Sequence, residues 1–408
     1  MDQQEFFRFL LGLTENWQIV EVRVNKETSE IDIFIEYTSS QGQCPHTKEL
    51  CRIYDLRENR RWRHLDIMQY KTYINCRIPR VINDDKQIST IEVPWSDYSE
   101  RYTYLFEEAV IKMLKMCKNQ TKTAVYFGVS YDIVSRIMIQ AADRGIERRV
   151  IEAPPSAVGL DEKSFLKGFD FITVLTDIDN SRVLNVERGR TKKAAEQVLT
   201  KTFAAEQLKQ VKVVVCDMCE AYLSAGREQL PAATQVADRF HLIQLLNIAL
   251  DKTRRQELKQ EKELLVNAKF ALLKRPENLT DKQKITFKAI DQANLRTARV
   301  WRAKENFREL FNQPDKAHAS ISLSTWLQDV KTTTLFHLNR VAETFNKHFA
   351  PVCNALWNNA SNAIAERING GIQELKAISR GFRNYENFRA AILFHYGKLN
   401  ISRSQNIL

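Results

Sequence analysis

The sequence predicts an α/β chain: a mixed sheet that carries a large helical insertion, preceded by a β-rich module and a pair of short helices. Three observations point there. Apolar and polar residues alternate early in the chain, at the two-residue period of a half-buried strand. Beyond Pro154-Pro155 the pattern runs strand, strand, strand, helix, strand, helix, strand. Residues 240–350 then read as nearly continuous helix rich in Lys, Arg, Glu and Gln, with a break near Pro276.

The first element is a hairpin over residues 19–37, turning at Asn25 to Glu30. Basic side chains then alternate with Trp62, Tyr70 and Tyr73 in strand-like segments, a surface suited to phosphates, with Arg61 and Arg63 as the candidate contacts. From about residue 103 the period becomes helical. Two amphipathic helices joined at Gly128-Val129-Ser130 predict a helix-turn-helix, because Gly permits the tight turn and Ser130 can cap the second helix. That helix, from Tyr131 to about Ala142, would enter the major groove, with Ser130, Tyr131 and Arg136 toward DNA and a basic tail at Arg144, Arg148 and Arg149. An αα-hairpin that only packs reads equally from this pattern.

In the sheet region the expected strands are SAVGLDEKS, FDFITVLTDID and SRVLNVERG. A helix over Thr191–Phe203, the apolar run VKVVVCD, a helix over Cys219–Leu230 and the strand ATQVAD follow. This is the order of a ribonuclease H-like fold, which by itself gives no function. The expected domains are therefore 1–100, 101–153, 154–239, the helical insertion 240–350, and 351–408, the last carrying the closing helices of the core.

A chain of 408 residues exceeds the roughly 250–300 residues at which single cores stop growing. The 61 Lys and Arg against 50 Asp and Glu leave a formal charge of +11, which favours a polyanionic partner. Seven scattered cysteines do not form a secreted disulfide framework, and no apolar stretch is long enough to span a bilayer. The reading is a cytoplasmic protein with no membrane partner.

Asp161 falls in the first strand of the sheet and Asp217 at the carboxyl end of the fourth; in a mixed sheet of this order those strands are neighbours. Two converging carboxylates suit hard cations such as Mg²⁺ or Mn²⁺, and a pair of such ions can stabilise the attacking and leaving oxygens of a phosphoryl transfer. Glu366, on a helix that follows the insertion, is the candidate third ligand. Each acid taken singly reads as an ordinary loop or surface residue; their order on one sheet marks them. Asp238 and His241 invite two readings. Asp238 caps a helix whose Phe240, Leu242 and Leu246 enter the core, or Asp238 and His241 lie near the reacting phosphate as accessory groups.

The stretches VGLDEKSFLKG, VVVCDMCEAYLSA, QVADRFHLIQLLNIALDKTRR and SNAIAERINGGIQELKAISRGF together resemble insertion-sequence transposases of the ISL-three family, over nearly the whole chain. The resemblance implies a DDE active site with its acids on Asp161, Asp217 and Glu366 and two divalent metal ions. Arg367 follows Glu366 where the family pattern has Gly, which makes Glu374 on the same helix the alternative. The relatives also resemble one another in an N-terminal zinc-binding module, from which this chain departs. Cys44-Pro45-His46-Thr47 lacks the second Cys, and Asn83 and Lys86 stand at two further ligand positions. Cys44, His46, Cys51 and Cys76 could form a substitute set only by different spacing, so no zinc is expected. Cys216 and Cys219 have no second ligand pair and carry no redox or zinc reading.

These expectations describe a transposase that binds terminal inverted repeats in double-stranded DNA, cleaves and transfers strands, and works as a homodimer or larger assembly on DNA. The alternatives are a catalytically inactive DNA-binding regulator and a structure-selective nuclease that cuts without joining.

Overall fold

The computed structural model describes residues 5, 8, 9, 11–166, 170–274, 276–358 and 363–403. The chain divides into two compact units, Met1–Arg148 with Asn400–Leu408, and Arg149–Leu399.

In the first unit the alternation at residues 19–37 becomes β1 (Trp17–Asn25) and β2 (Glu30–Tyr37), antiparallel from Trp17↔Tyr37 to Asn25↔Glu30. Ile31, Ile33 and Ile35 point inward, while Glu30, Asp32 and Glu36 point outward. Further strands are β3 (Gln41–Gln43), β4 (Leu50–Arg63), β5 (Lys71–Ile82) and β6 (Ile88–Thr90). They complete a six-stranded sheet of order β1-β2-β5-β4-β3, with β6 on β5. Trp17, Trp62 and Trp95 meet edge to face beneath it, with centroid separations of 5.0 and 5.7 Å.

Helices α1 (Tyr104–Cys117), α2 (Gln120–Phe127) and α3 (Tyr131–Glu147) follow. Gly128 ends α2 at φ 61°, and Ser130 Oγ accepts from the Ile133 amide at 3.4 Å, so both predicted turn residues act as the sequence indicates. Helix α3 extends to Glu147, beyond the predicted end near Ala142. Residues 401–403 belong to this unit rather than to the closing part of the core. Arg403 pairs with Asp97 and with Glu107, and the Ile401 carbonyl accepts from Arg144 at 2.9 Å.

Three arginine expectations change here. Arg63 is 5% exposed, its guanidinium spent on Asp66 at 2.5 Å and on the carbonyls of His64, Thr72 and Phe127, so it holds this unit together and cannot meet a phosphate. Arg61 stacks on Tyr73 and is neutralised by Asp32 at 2.8 Å and Glu30 at 3.0 Å. Arg144 is bound to Glu107 at 2.7 Å. Trp62, expected on the phosphate-facing surface, is fully buried.

The second unit begins with an antiparallel meander, β7 (Ala157–Ser164), β8 (Phe171–Asp177) and β9 (Arg182–Arg188). Then come α4 (Lys192–Thr200), α5 (Ala205–Leu208), β10 (Val213–Cys216), α6 (Glu220–Gln229) and β11 (Thr234–Ala237). The sheet order is β11-β10-β7-β8-β9, with β10 parallel to both β7 and β11. Val158, Leu160, Val214 and Cys216 face α4 and α6, packing with Val198, Leu199, Tyr222 and Leu223. Arg149 reaches back to the Leu184 carbonyl on β9 at 2.7 Å, which removes it from the expected DNA surface; Arg148 remains exposed, bound to the Ser402 carbonyl at 2.5 Å.

Helix α7 (Arg239–Glu257) opens the helical region and is followed by α8 (Lys262–Leu265), α9 (Lys269–Leu273), α10 (Asp281–Gln292), α11 (Arg296–Glu309), α12 (Lys316–Lys331), α13 (Phe336–Lys347) and α14 (Phe349–Trp357). A short 3₁₀ turn at Pro276–Asn278 marks the predicted break. Their core, built on Leu242, Leu246, Phe307, Trp326, Phe345 and Val352, is continuous with Ala157, Val215 and Val236 on the other face of the sheet. The chain closes this unit with α15 (Ala363–Ile378) and α16 (Tyr385–Tyr396). Gly371 is required between them: a Cβ there would lie 2.7 Å from the Tyr396 ring, whose hydroxyl donates to the Gly371 carbonyl at 2.6 Å. No helix among the described residues is long and apolar enough to cross a membrane.

Candidate active site

Strand register builds the site. Leu160 on β7 pairs with Cys216 on β10, and Cys216 pairs with Ala237 on β11, all parallel. The next residue on each strand is an aspartate: Asp161, Asp217 and Asp238. The Asp238 amide donates to the Cys216 carbonyl at 2.8 Å, continuing the pairing to the end of the row. Side chains alternate along a strand, so Asp161 shares a face with Ala157, and Asp217 shares one with Val215; both belong to the face covered by the helical region. Separate segments thus deliver three carboxylates to one row across neighbouring parallel strands, Asp161 from within β7 and Asp217 and Asp238 from just beyond β10 and β11.

The electrostatics follow from this crowding. Burial pushes the Asp217 carboxyl up to about 6, with the negative charges of Asp161 and Glu162 acting in the same direction and nearby His241 opposing them. The Cys219 amide donates to Asp217 Oδ1 at 3.4 Å. Asp161 is partly neutralised by Lys163, two residues along the same face, whose Nζ lies 2.8 Å from Oδ2. Cys216 is fully buried and its thiol is pushed up by burial, consistent with a packing role.

Asp238 caps α7, accepting from the Phe240 amide at 2.7 Å, and also binds His241 Nδ1 at 2.9 Å. That hydrogen bond raises the His241 pKa, and the charges of Asp161 and Asp217 add to it. Asp238 is thus a helix cap, and His241 lies within electrostatic reach of Asp161 and Asp217. Leu242 and Leu246 are buried as expected, but Phe240 is 51% exposed and does not enter the core. Arg239 donates to the carbonyls of Ala355 at 2.7 Å and Asn358 at 3.1 Å, which fastens the end of α14 to the start of α7.

Glu366 lies in α15, but its side chain falls outside the described residues. The helix itself reaches the site, because the Asn369 side-chain amide donates to Asp161 Oδ2 and Lys376 Nζ donates to the Ser164 carbonyl at 2.5 Å. Glu366 is three residues before Asn369 in this helix. Glu374 is exposed and on the opposite side of the helix from Asn369. Sequence reasoning missed Asn369 and Lys163; helical spacing from Glu366 and strand spacing from Asp161 are the signals that locate them.

Asp161 and Asp217 present hard carboxylate oxygens from adjacent strands, a donor set that fits Mg²⁺ or Mn²⁺. Among the described residues, no three His, Cys, Asp or Glu side chains already converge as a metal-binding group.

A sheet that lines up carboxylates at neighbouring strand ends defines a class of candidate acid-dependent enzymes, and comparison with known proteins identifies which family is present. The family model described as a transposase, of the DDE class and ISL-three type, matches residues 158–392. The chain belongs to that family of insertion-sequence transposases. It is also similar, at 25% identity over 356 residues, to the transposase for insertion sequence element IS1557 of Mycobacterium tuberculosis, in strains CDC 1551 / Oshkosh and ATCC 25618 / H37Rv. The match covers 80% of this chain and 79% of each relative.

Proposed function

We propose that this chain cuts DNA at the ends of an insertion sequence and transfers the freed strands, with Asp161, Asp217 and Glu366 as the acids of a ribonuclease H-like core. The observation that carries the reading is the parallel register that sets Asp161 beside Asp217, with Asn369 tying the helix of Glu366 to Asp161. Two Mg²⁺ or Mn²⁺ ions bound by these acids would supply activation of the attacking water or 3′-hydroxyl and stabilise charge on the leaving oxygen.

The remaining steps belong to the chain. Asp217 is ionised above about pH 6 and then adds negative charge beside Asp161, which a bound cation would relieve. Lys163 and Asn369 fix the Asp161 carboxylate, limiting how far it can turn from its neighbour. His241, held at Nδ1 by Asp238, keeps Nε2 as the ring atom able to give or take a proton. Helices α2 and α3 act as a helix-turn-helix, with Ser130, Tyr131 and Arg136 toward DNA; Tyr131 is 43% exposed and Arg136 lies on the exposed side of α3. Two ends must be held together during transfer, so the working form is a dimer or larger assembly on DNA.

The test is incubation of the protein with DNA bearing two element ends and Mn²⁺, beside Asp217→Ala. Cleavage followed by strand joining, absent in the variant, is the expected outcome. Cleavage without joining points to a nuclease, and salt-sensitive binding without cutting points to an inactive regulator.

A further inference from the structure

The first unit holds a cavity of about 660 Å³ beside an arginine-lined groove of about 790 Å³, and the two share Arg60, Ile78 and Tyr98. The cavity is of the size that takes a small organic ligand, for which roughly 300–1,000 Å³ is usual. Arg60 sits between two aromatic rings, its guanidinium carbon 5.0 Å from the Trp62 centroid and 5.5 Å from that of Tyr98. Its Nη2 donates to the Glu100 carbonyl at 2.6 Å, while its buried Nε has no partner. Trp62 lines the same cavity, is fully buried, and its indole Nε1–H also lacks a partner.

The groove supplies the second half of a ligand description. Arg57, Arg80 and Arg101 line it with Arg60. Arg80 is tied to Asp55, whereas Arg57 donates to the Tyr98 hydroxyl and Arg101 is exposed. Of the acids at the two sites, Asp97 is paired with Arg403 and Glu92 with Lys48, leaving Glu58. Tyr98, 57% exposed, stands where groove and cavity meet. A row of guanidinium groups suits phosphodiesters, and an exposed aromatic ring beside a cavity suits a stacked planar base.

Resting on the DNA-binding part of the proposed function, we infer that this site takes an unpaired nucleotide of a DNA strand, its backbone along Arg57 and Arg101 and its base against the exposed Tyr98 ring. A paired base is held in its stack and cannot enter, so the site distinguishes distorted or single-stranded DNA from duplex. It is separate in sequence and in fold from the carboxylate row.

The experiment measures binding of the full chain to fluorescent oligothymidylate of about 12 nucleotides, within the roughly 4–16 that single-strand-binding folds cover, and to a fully paired duplex carrying the element end. Tyr98→Ala should weaken oligothymidylate binding by about 5- to 100-fold, the range of one lost stacking contact, and Tyr98→Phe should restore it. Duplex affinity should change less than about twofold in either variant, as for a surface change outside the contact. Equal oligothymidylate binding by wild type and Tyr98→Ala, with duplex binding intact, overturns this inference alone. Failure to bind either DNA overturns the DNA-binding reading with it. Thymidine monophosphate binding as tightly as the oligomer would overturn assignment to a strand in favour of a free nucleotide, and oligoglutamate competing equally would remove the base from the site.

Discussion

The two sheets treat charge in opposite ways. In the first, the charged groups on the strands are set against opposite partners: Arg63 with Asp66, Arg61 with Asp32 and Glu30, Arg80 with Asp55. In the second, parallel register sets Asp217 beside Asp161, and burial, with that like charge added, pushes the Asp217 carboxyl up to about 6. Paired charge reads as architecture. Crowded like charge marks a candidate functional site, and under the proposed function the gain is affinity for a cation.

The largest effect that would sharpen this contrast is loss of activity on Asp217→Asn. End cleavage should fall by about 10³-fold or more, the scale seen when a core catalytic group is removed, while duplex binding is retained. Cleavage within tenfold of wild type would break the contrast, since Asp217 would then be as dispensable as a surface acid.

Next is pH. The Asp217 pKa is raised on folding from the ordinary 3.8 to about 6, so between those values the native state holds a proton that the unfolded state has lost. Stability of the metal-free protein therefore falls as pH rises from about 4 to about 6 and stays lowered above it. Asp217→Asn removes that penalty and should stabilise the metal-free second unit at pH 7 by about 1–3 kcal/mol, read by thermal melting. In the wild type, Mn²⁺ affinity should drop about tenfold per unit as pH falls below about 6, because the protonated carboxyl is a poor ligand. A Mn²⁺ affinity flat from pH 7 to 5 would contradict the assignment.

Within the first sheet, Arg63→Met should destabilise by about 3–5 kcal/mol, because it leaves several buried acceptors and Asp66 without a partner, whereas Arg61→Gln should cost less than about 1 kcal/mol. Chemical denaturation of both variants checks the ratio. The smallest effect is Ser130→Ala, which removes the cap of α3 and should cost about 1 kcal/mol in the same measurement.

Much of this fold is legible in the sequence because local pattern and tertiary burial agree. The alternation at Ile31, Ile33 and Ile35 gives β2, the run before Asp217 gives β10, and Gly128 with Ser130 gives the turn between α2 and α3. The row formed by Asp161, Asp217 and Asp238 is half legible: sequence places Asp161 and Asp217 on neighbouring strands, but only the register shows that Asp238 follows the next strand of the same row. What sequence hides is the state of each arginine. Arg61 and Arg63 sit two apart on β4 and look alike as phosphate ligands, yet Arg63 is drawn inside by carbonyls as distant in sequence as that of Phe127. Phe240 fails for the complementary reason: helical periodicity marks a stripe, and its edge residue falls outside the packed face.

The most direct test is an anomalous difference map from crystals of the protein grown with Mn²⁺. The account predicts manganese density between Asp161 and Asp217, with the Glu366 carboxylate among its ligands. Manganese bound away from both aspartates, or a Glu366 side chain turned out of the site while another group completes the coordination, would contradict it.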